Sequence, residues 1–246
     1  MDSRIIISRD SFNSEVFKLE FGNVSDFAFD ITTKEIREAL RETAYEIYGV
    51  RIDSKNLGAM YNFQKAGFYV VDCLVTYEFD KNKCILPETM PSLSFKDNLS
   101  EEEIENLANI ARSVFKFDRF HSDPNIDKAL ADDYYYNWVK NSFHGFADGA
   151  VVPLVDEEVA GFTTYKINNV DSVTSTLVLS AVGSKYMGKG VYQNMILKGT
   201  IELLKHSTKI RLGTQVDNVP VQRTWQKLGY KLAEVKYILH YYKDTH

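Results

Sequence analysis

The sequence has few cysteines, no long apolar run and no excess of positive charge. No apolar stretch approaches the roughly 18 to 20 residues needed to cross a bilayer, and the one near the start is too short for a secretory signal. The two cysteines, Cys73 and Cys84, have neither metal-ligand nor redox spacing. The net charge of -5 gives no electrostatic footprint for nucleic acid. We therefore expect a cytoplasmic protein that binds no membrane, no nucleic acid and no metal.

The composition is that of an ordinary globular protein. The chain has 246 residues, of which 44% are hydrophobic and 26% charged, enough for one large domain or two small ones. It contains no Gly-x-Ser-x-Gly and no His-Glu-x-x-His motif, so neither of the hydrolase chemistries that these motifs mark is indicated.

An internal repeat is the most informative pattern. Residues 50–78 read VRIDSKNLGAMYNFQKAGFYVVDCLVTYE, and residues 210–239 read IRLGTQVDNVPVQRTWQKLGYKLAEVKYIL. The pattern predicts, in each copy, a strand, a helix ending at a glycine, and a second strand. The matched pairs are Arg51 with Arg211, Phe63 with Trp225, Gln64 with Gln226, Gly67 with Gly229, and Phe68 with Tyr230. Five matches in order favour a duplicated unit.

The polar stretch from Pro87 to Ser100 is predicted to link a domain at 1–92 to a second one at 93–246. Ser100 and Glu103 form a capping box at the start of a helix, and a second helix is predicted over 126–143. Strands rich in β-branched and aromatic residues are predicted at 159–167, 174–182, 209–214 and 232–242. This order indicates an α+β (mixed α/β) domain.

The stretch from Leu179 to Tyr192 is predicted to run from a strand through a glycine turn into a helix. Val191, Met195, Ile196 and Leu203 form the inward face of that helix. Free backbone N–H groups at a helix start favour a phosphate or pyrophosphate, and glycines let the backbone approach it closely. The turn is neither a Walker loop nor a dinucleotide fingerprint. Taken alone, such a turn also serves as plain structure.

Two motifs resemble the GNAT superfamily of N-acetyltransferases. Ala181-Val182-x-x-x-Tyr186-x-Gly188-Lys189-Gly190 is similar to its acetyl-coenzyme A motif, and the segment Asn218–Tyr230 is similar to its second signature. The resemblance implies a full GNAT domain at the C-terminal end, a truncated GNAT-like N-terminal half, and acetyl-CoA as co-substrate. The residues it implies for cofactor binding are Val182, Met187, Gly188, Lys189, Gly190, Val191, Tyr192 and Asn218. Met187 replaces the family's usual Arg or Gln, and Tyr192 its usual Gly or Ala.

A further segment narrows the resemblance. Arg119-Phe120-His121-Ser122-Asp123-Pro124, together with Thr214-Gln215 and Asn218, looks like the TDP-fucosamine N-acetyltransferases of cell-surface glycan synthesis. This resemblance implies a nucleotide-linked amino sugar as substrate. The residues expected to bind it are Arg119, Phe120, His121, Gln215 and Trp225.

Trp225 stands where the family has its general-acid tyrosine. An indole N–H donates a hydrogen bond but does not give up its proton, so the exchange is expected to slow turnover without abolishing it, and another donor can substitute. His121, Tyr186 and Tyr237 are the candidates in that order, and a packing role stays open for each. The backbone N–H near Val182 is expected to stabilise the oxyanion.

These features predict an N-acetyltransferase in which a small amine attacks the acetyl thioester directly within a ternary complex. A catalytically silent module that binds acyl-CoA or regulates a partner is the alternative, because Met187, Tyr192 and Trp225 all depart from the family pattern. An acetyltransferase of another amine, including protein N-termini or lysines, is a third. An exposed edge strand is a candidate for pairing two chains into a homodimer.

Overall fold

The computed structural model describes residues 4–88, 92–168 and 173–243. The chain forms two compact units: the first comprises Met1–Leu74, Asp118–Ala131 and Glu234–His246, and the second Val75–Phe117 and Asp132–Ala233. The division expected at 92/93 does not coincide with these units, because the C-terminal strand and an internal segment group with the N-terminal residues. Of the expected linker, Pro91 lies outside the described residues.

Strands and helices alternate along most of the chain. The strands are β1 (Ile5–Arg9), β2 (Phe21–Phe27), β3 (Ile47–Asp53), β4 (Tyr69–Asp80), β5 (Ser94–Lys96), β6 (Gly149–Val155), β7 (Glu158–Val159), β8 (Gly161–Lys166), β9 (Thr174–Val182), β10 (Lys209–Gln215) and β11 (Lys231–Tyr242). The α-helices are α1 (Ser11–Phe17), α2 (Thr33–Glu42), α3 (Leu57–Ala66), α4 (Glu101–Val114), α5 (Arg119–Ser122), α6 (Lys128–Asn141), α7 (Val191–Leu203) and α8 (Val219–Lys227). A π-helical turn covers Ser142–Phe146 and a 3-10 turn Ser184–Tyr186.

The first unit is built on strands in the order β1-β2-β3-β11-β4. β1 is antiparallel to β2, β2 is parallel to β3, and β3 is antiparallel to β11. Its core is apolar and includes Ile31, Ile36, Tyr48, Phe63 and Leu239, which are all fully buried. Burial of such side chains is the main favourable contribution to folding.

Both copies of the repeat fold as predicted. The first runs through β3 and α3 to β4, and the second through β10 and α8 to β11. Gly67 and Gly229 follow the two helices with φ of 114° and 90°. This left-handed backbone favours glycine, which has no Cβ to clash.

The second unit has strands in the order β4-β10-β9-β8-β6-β5, with β7 beside β6. β9 and β10 are parallel. The pairs β5–β6, β6–β7, β6–β8 and β8–β9 are antiparallel. Helix α7 packs against β6, β8 and β9, and α4 packs against β7, β8 and β9. The four inward residues predicted for α7 are all buried, which confirms that face.

Most predicted elements of this unit are confirmed, but some differ, and β5 (Ser94–Lys96) lies within the stretch expected as a linker. Helix α4 begins after the Ser100 capping box, and β9, β10 and β11 match their predictions closely. The second helix is shorter than 126–143, and the strand expected at 159–167 is divided at Ala160. β6 was not predicted. It contains Pro153, which cannot donate to a strand ladder and argues against a strand, and Pro153 lies opposite Phe95 of the short β5.

Candidate functional site

The parallel neighbours β9 and β10 stay paired for only three residues. Thr174–Thr176 lie beside Lys209–Arg211, and no further pair joins the two strands among the described residues. Just beyond the last pair, Val178 is an extra residue on β9, because Leu177 and Leu179 lie opposite consecutive residues of β8. Such a bulge bends its strand. β9 therefore has an open edge on its β10 side from Leu177 onward.

Backbone groups of β9 point toward this open edge. The N–H of Gly183 donates to the carbonyl oxygen of Ala160 at 2.9 Å, which fixes the phase of the antiparallel ladder with β8. Hydrogen-bonded and non-hydrogen-bonded pairs alternate along such a ladder. Ser180 and Val182 are therefore in non-hydrogen-bonded pairs, and their N–H groups face away from β8. The predicted Val182 donor thus faces the open edge, while its role stays a prediction.

The turn after β9 is open on its outer side. Gly188 and Gly190 both have φ of 76°, and α7 begins at Val191. A Cβ on Gly188 would meet no heavy atom within 4 Å, and one on Gly190 would lie 3.9 Å from Nδ2 of Asn194. The first N–H groups of a helix have no acceptor within it, and the helix dipole favours an anion there. Chain geometry and donor chemistry therefore fit the pyrophosphate of acetyl-CoA.

Glu158 braces the start of this turn. Its carboxylate forms an ion pair with Lys185, and it accepts a hydrogen bond from the Tyr186 hydroxyl at 2.7 Å. Burial raises the pKa of Tyr186, and the hydrogen bond to Glu158 adds to this rise. The same residues border a cleft of about 820 Å³ on the side of α4. The Tyr186 hydroxyl, predicted as a candidate proton donor, already donates to Glu158.

Trp225 contacts the residue that the sequence placed at the phosphates. Its side chain is 3% exposed, and its ring packs edge-on against Tyr77 with centroids 5.5 Å apart. Its Nε1–H donates to the Tyr192 hydroxyl at 3.1 Å. Ser180 also lies near Tyr192, and its Oγ lies 2.7 Å from Oγ1 of Thr163. Burial raises the pKa of Tyr192 above its ordinary value.

The end of β10 is tied to α8. Asn218 precedes this helix, but its side chain does not cap it. Its Nδ2 donates instead to Oγ1 of Thr214 at 3.0 Å. The carbonyl oxygen of Gln215 accepts from Nε2 of Gln222 at 3.2 Å. Gln215 and Asn218 thus lie together between β10 and α8.

Four predicted site residues belong to the first unit. Phe120 is 1% exposed and packs at a tilt against Phe17, with centroids 4.5 Å apart, so it has almost no surface for a ligand. His121 pairs through Nδ1 with Asp118, which also caps α5. The Arg119 guanidinium lies 4.5 Å from the Phe120 ring centroid. Tyr237 packs against the core of this unit.

The other predicted residues lie in the second unit. They are Val182, Tyr186, Met187, Gly188, Lys189, Gly190, Val191, Tyr192, Gln215, Asn218 and Trp225. Sequence reasoning missed Tyr77, Thr163 and Ser180. The unusual bulk of Tyr192 was the one signal that pointed toward this cluster. Within the described ranges, no group of three potential metal ligands occurs and no helix is long and apolar enough to span a bilayer.

The chain has a relative of similar sequence among known proteins. The chain is 26% identical over 140 residues to the spore coat polysaccharide biosynthesis protein SpsD of Bacillus subtilis (strain 168). This alignment covers 56% of the chain and 47% of SpsD, so the chain spans about half the length of that relative.

Solved structures share the fold at low sequence identity. A GCN5-related N-acetyltransferase from Kribbella flavida has a TM-score of 0.62 and 15% identity, covering 92% of this chain and 82% of that one. A tandem GNAT protein from the clavulanic acid biosynthesis pathway has a TM-score of 0.63 and 10% identity, covering 92% and 76%. The model of the acetyltransferase (GNAT) family matches residues 106–230, which contain the glycine turn and most of both signatures. The chain belongs to the GNAT family of acetyltransferases.

Proposed function

We propose that the protein transfers the acetyl group of acetyl-CoA to the amine of a nucleotide-linked amino sugar, of the TDP-4-amino-4,6-dideoxyhexose type. The open turn from Gly188 to Gly190, next to the unpaired edge of β9, carries the acetyl-CoA part of this proposal. The sugar part is supported by the segment Arg119–Pro124 and by the SpsD relative, which is named for polysaccharide biosynthesis.

The turn supplies backbone donors and a positive charge. The N–H groups of Gly188, Gly190, Val191 and Tyr192 bind the pyrophosphate, while that of Lys189 donates to the carbonyl oxygen of Tyr186 at 3.4 Å. Gly188 leaves room for the pyrophosphate because no Cβ intervenes. Lys189 adds an ammonium group beside this turn, and ammonium groups form charge-assisted hydrogen bonds to phosphate. Acetyl-CoA, when bound, supplies the activated acetyl thioester.

The open edge of β9 serves the acyl transfer. The Val182 N–H stabilises negative charge on a carbonyl oxygen at this edge, and loss of one such donor typically costs about 10²- to 10³-fold in rate. A sugar amine is less basic than a lysine, so a weak base or a water relay suffices to deprotonate it.

An acetyl transfer assay with a panel of amines tests the proposal. We expect transfer to TDP- or UDP-linked amino sugars and little to lysine peptides. No transfer to any nucleotide-linked amino sugar would overturn the substrate assignment. Transfer to peptides would favour an acetyltransferase of protein amines. Binding of acetyl-CoA without transfer to any amine would favour the silent module, which the residues Met187, Tyr192 and Trp225 motivate.

Two glycine variants test the cofactor site by binding alone. Gly188 and Gly145 both have positive φ, and a Cβ on either would meet no heavy atom within 4 Å. We expect Gly188→Val to lose acetyl-CoA binding, because the new side chain projects beside the turn, and Gly145→Val to keep it. Acetyl-CoA at 100 times its Kd should stabilise the wild type and Gly145→Val by roughly 2.7 kcal/mol. Equal stabilisation of Gly188→Val would contradict the assignment of this turn.

A further inference from the structure

We propose that Tyr192 donates the proton to the sulfur that leaves during acetyl transfer, and that Trp225 is its positioning residue. The inference rests on the proposed function, since it assigns a step of that reaction. It also accounts for two departures from the family pattern together, because the tryptophan and the tyrosine contact each other.

The direction of the hydrogen bond between these residues is fixed by chemistry. An indole Nε1–H is a donor only, so the Tyr192 oxygen accepts from Trp225 at 3.1 Å and keeps its own proton for donation. Trp225 is held by its edge-on contact with Tyr77. The neighbouring Gln226 donates from Nε2 to the Tyr77 hydroxyl at 3.2 Å, which ties α8 to the same ring.

A second neighbour, Ser180, places the Tyr192 hydroxyl near β9. Helix α7, which carries Tyr192, packs against β9. Burial raises the pKa of Tyr192, and the nearby Ser180 of β9 opposes part of that rise. The hydroxyls of Thr163 and Ser180 are hydrogen-bonded in turn. Ser180 belongs to the stretch of β9 that faces the open edge, two residues before Val182. The Tyr192 hydroxyl therefore lies beside the strand that offers the free backbone donors.

The proposed step balances in atoms and charge. The amine nitrogen forms the new C–N bond, and the C–S bond breaks with its electron pair on sulfur. Sulfur takes the Tyr192 proton, the amine releases one proton to solvent, and Tyr192 regains one from solvent. Burial keeps Tyr192 protonated, and the same desolvation makes the leaving thiolate more basic. A raised tyrosine pKa and a more basic thiolate together favour transfer of the Tyr192 proton only when the sulfur leaves.

The other candidate tyrosines are less well placed for this step. The Tyr186 hydroxyl donates to Glu158, so its proton is already in use. Tyr237 packs against the core of the first unit, opposite Ile52 of β3. Tyr186 and Tyr192 belong to the second unit. Of these two, Tyr192 has its hydroxyl at Trp225, which occupies the family's general-acid position, and near β9.

Tyr192→Phe in the full-length protein tests the proposal. We expect kcat to fall by about 10²- to 10⁴-fold, the usual contribution of a general acid, with unchanged acetyl-CoA affinity. Tyr230→Phe is the matched control, because Tyr230 is buried and its hydroxyl lies 2.6 Å from Oγ1 of Thr200 on α7, the helix that carries Tyr192. That control should keep kcat. An unchanged kcat in Tyr192→Phe would overturn the proposal.

A second readout does not depend on turnover. The pKa of the thiol of bound CoA, followed by the ultraviolet absorbance of the thiolate, should rise in Tyr192→Phe because the hydrogen bond to the thiolate is lost. Trp225→Phe should raise it less, and Tyr230→Phe should leave it unchanged. An equal thiol pKa in wild type and Tyr192→Phe would overturn the donor assignment. If the wild type binds CoA but acetylates no amine, the proposed function fails while this titration still decides the role of Tyr192.

Discussion

The two copies of the repeat share one plan but use their polar side chains differently. In the first, Asn56 caps α3 by accepting from the N–H of Ala59 at 3.0 Å. In the second, Asn218 precedes α8 and donates to Thr214 on β10. The central aromatic residue differs in the same way. Phe63 is fully buried in an apolar core, whereas Trp225 is buried but directs its N–H to Tyr192.

This difference indicates that the first copy mainly stabilises the fold, whereas the second also contributes side chains to the proposed site. In the first copy, Asn56 caps α3 and also donates through Nδ2 to the carbonyl oxygen of Phe29 at 3.0 Å, so both of its contacts stabilise the first unit. Polar groups of the second copy reach neighbouring elements beside the open edge of β9. The Gly-Lys-Gly turn occurs once in the sequence, ahead of the second copy. We therefore expect substitutions in the first copy to change stability, and those at matched positions in the second to change acetyl transfer as well.

The final strands of the two copies both contact one buried carboxylate of the first unit. Asp123 and His240 are fully buried, and Nδ1 of His240 lies 2.7 Å from Oδ2 of Asp123. The hydroxyls of Tyr69 and Tyr242 donate to Asp123 at 2.9 and 3.2 Å. Nε2 of His240 has no hydrogen-bond partner in the described part of the chain. The rings of Phe21 and Phe120 lie about 6 Å from the imidazole.

Removal of His240 has the largest expected effect on stability. His240→Ala leaves a cavity at a fully buried ring and removes a hydrogen-bond partner of the buried Asp123 carboxylate, so it should lower the free energy of unfolding by about 3 to 5 kcal/mol. Urea denaturation at pH 7 measures this. His206→Ala, at an exposed histidine, should stay within about 0.5 kcal/mol of the wild type. A small effect of His240→Ala would show that this junction of the two copies contributes little to the scaffold.

His240 and Asp123 should also make the free energy of unfolding depend on pH. Burial lowers the pKa of His240, while an unfolded histidine titrates near pH 6.5. Acid therefore protonates the unfolded chain first, and stability present above about pH 6.5 declines below it. Burial opposes ionisation of Asp123, but the hydrogen bond from His240 and others hold its pKa below its ordinary value, so a further decline follows below about pH 4. The first decline should disappear in His240→Ala and persist in His206→Ala.

Substitution of Gly67 or Gly229, the glycines that follow α3 and α8, should have the next largest effect on the free energy of unfolding. Both have positive φ, and alanine at either position is strained by on the order of 1 to 3 kcal/mol. A Cβ on Gly229 would lie 2.9 Å from the carbonyl oxygen of Ile85, while one on Gly67 would lie 3.1 Å from the Tyr241 ring. Because a side chain yields more easily than backbone, Gly229→Ala should destabilise more in urea unfolding than Gly67→Ala. The opposite order would contradict this reading of the two turns.

Gly58→Ala is the control for these substitutions. Gly58 lies in the first turn of α3, and its nearest heavy atom to a new Cβ is Oδ1 of Asn56 at 3.8 Å. Alanine fits that backbone and reduces the entropy of the unfolded chain, so a stabilisation of about 0.4 to 1 kcal/mol is expected. Destabilisation by Gly58→Ala would mean that loss of any glycine, rather than positive φ, explains the result.

The sequence predicted what depends on local pattern. The capping box at Ser100, the two repeat copies and the turn into α7 each follow from neighbouring residues. What it missed depends on contacts between distant residues. Trp225 meets Tyr192 across 33 positions, and His240 meets Asp123 across 117. Spacing along the chain does not fix such distances, because they are set by strand order and by the bulge in β9.

The division into two units also depends on contacts between residues distant in the sequence. A boundary at 92/93 follows from composition, since a polar stretch with prolines separates two patterned regions. Residues Asp118–Ala131 and Glu234–His246 nevertheless group with the N-terminal residues. The pairing of β11 with β3 is antiparallel and joins residues almost 200 positions apart, such as Tyr242 and Ile47. No local signal in the sequence specifies that partner.

The smallest predicted effect contrasts the two asparagines most directly. Asn56→Ala removes a side-chain cap and the hydrogen bond from Nδ2 to the carbonyl oxygen of Phe29, so it should cost about 1 to 2 kcal/mol in urea unfolding. Asn218→Ala removes one partly buried hydrogen bond to Thr214 and no cap, so about 0.5 kcal/mol is expected. Acetyl-CoA binding should be unchanged in Asn56→Ala and weakened in Asn218→Ala, because Asn218 lies at the end of β10 beside the site. A larger stability loss in Asn218→Ala, with unchanged binding, would make both copies equally structural.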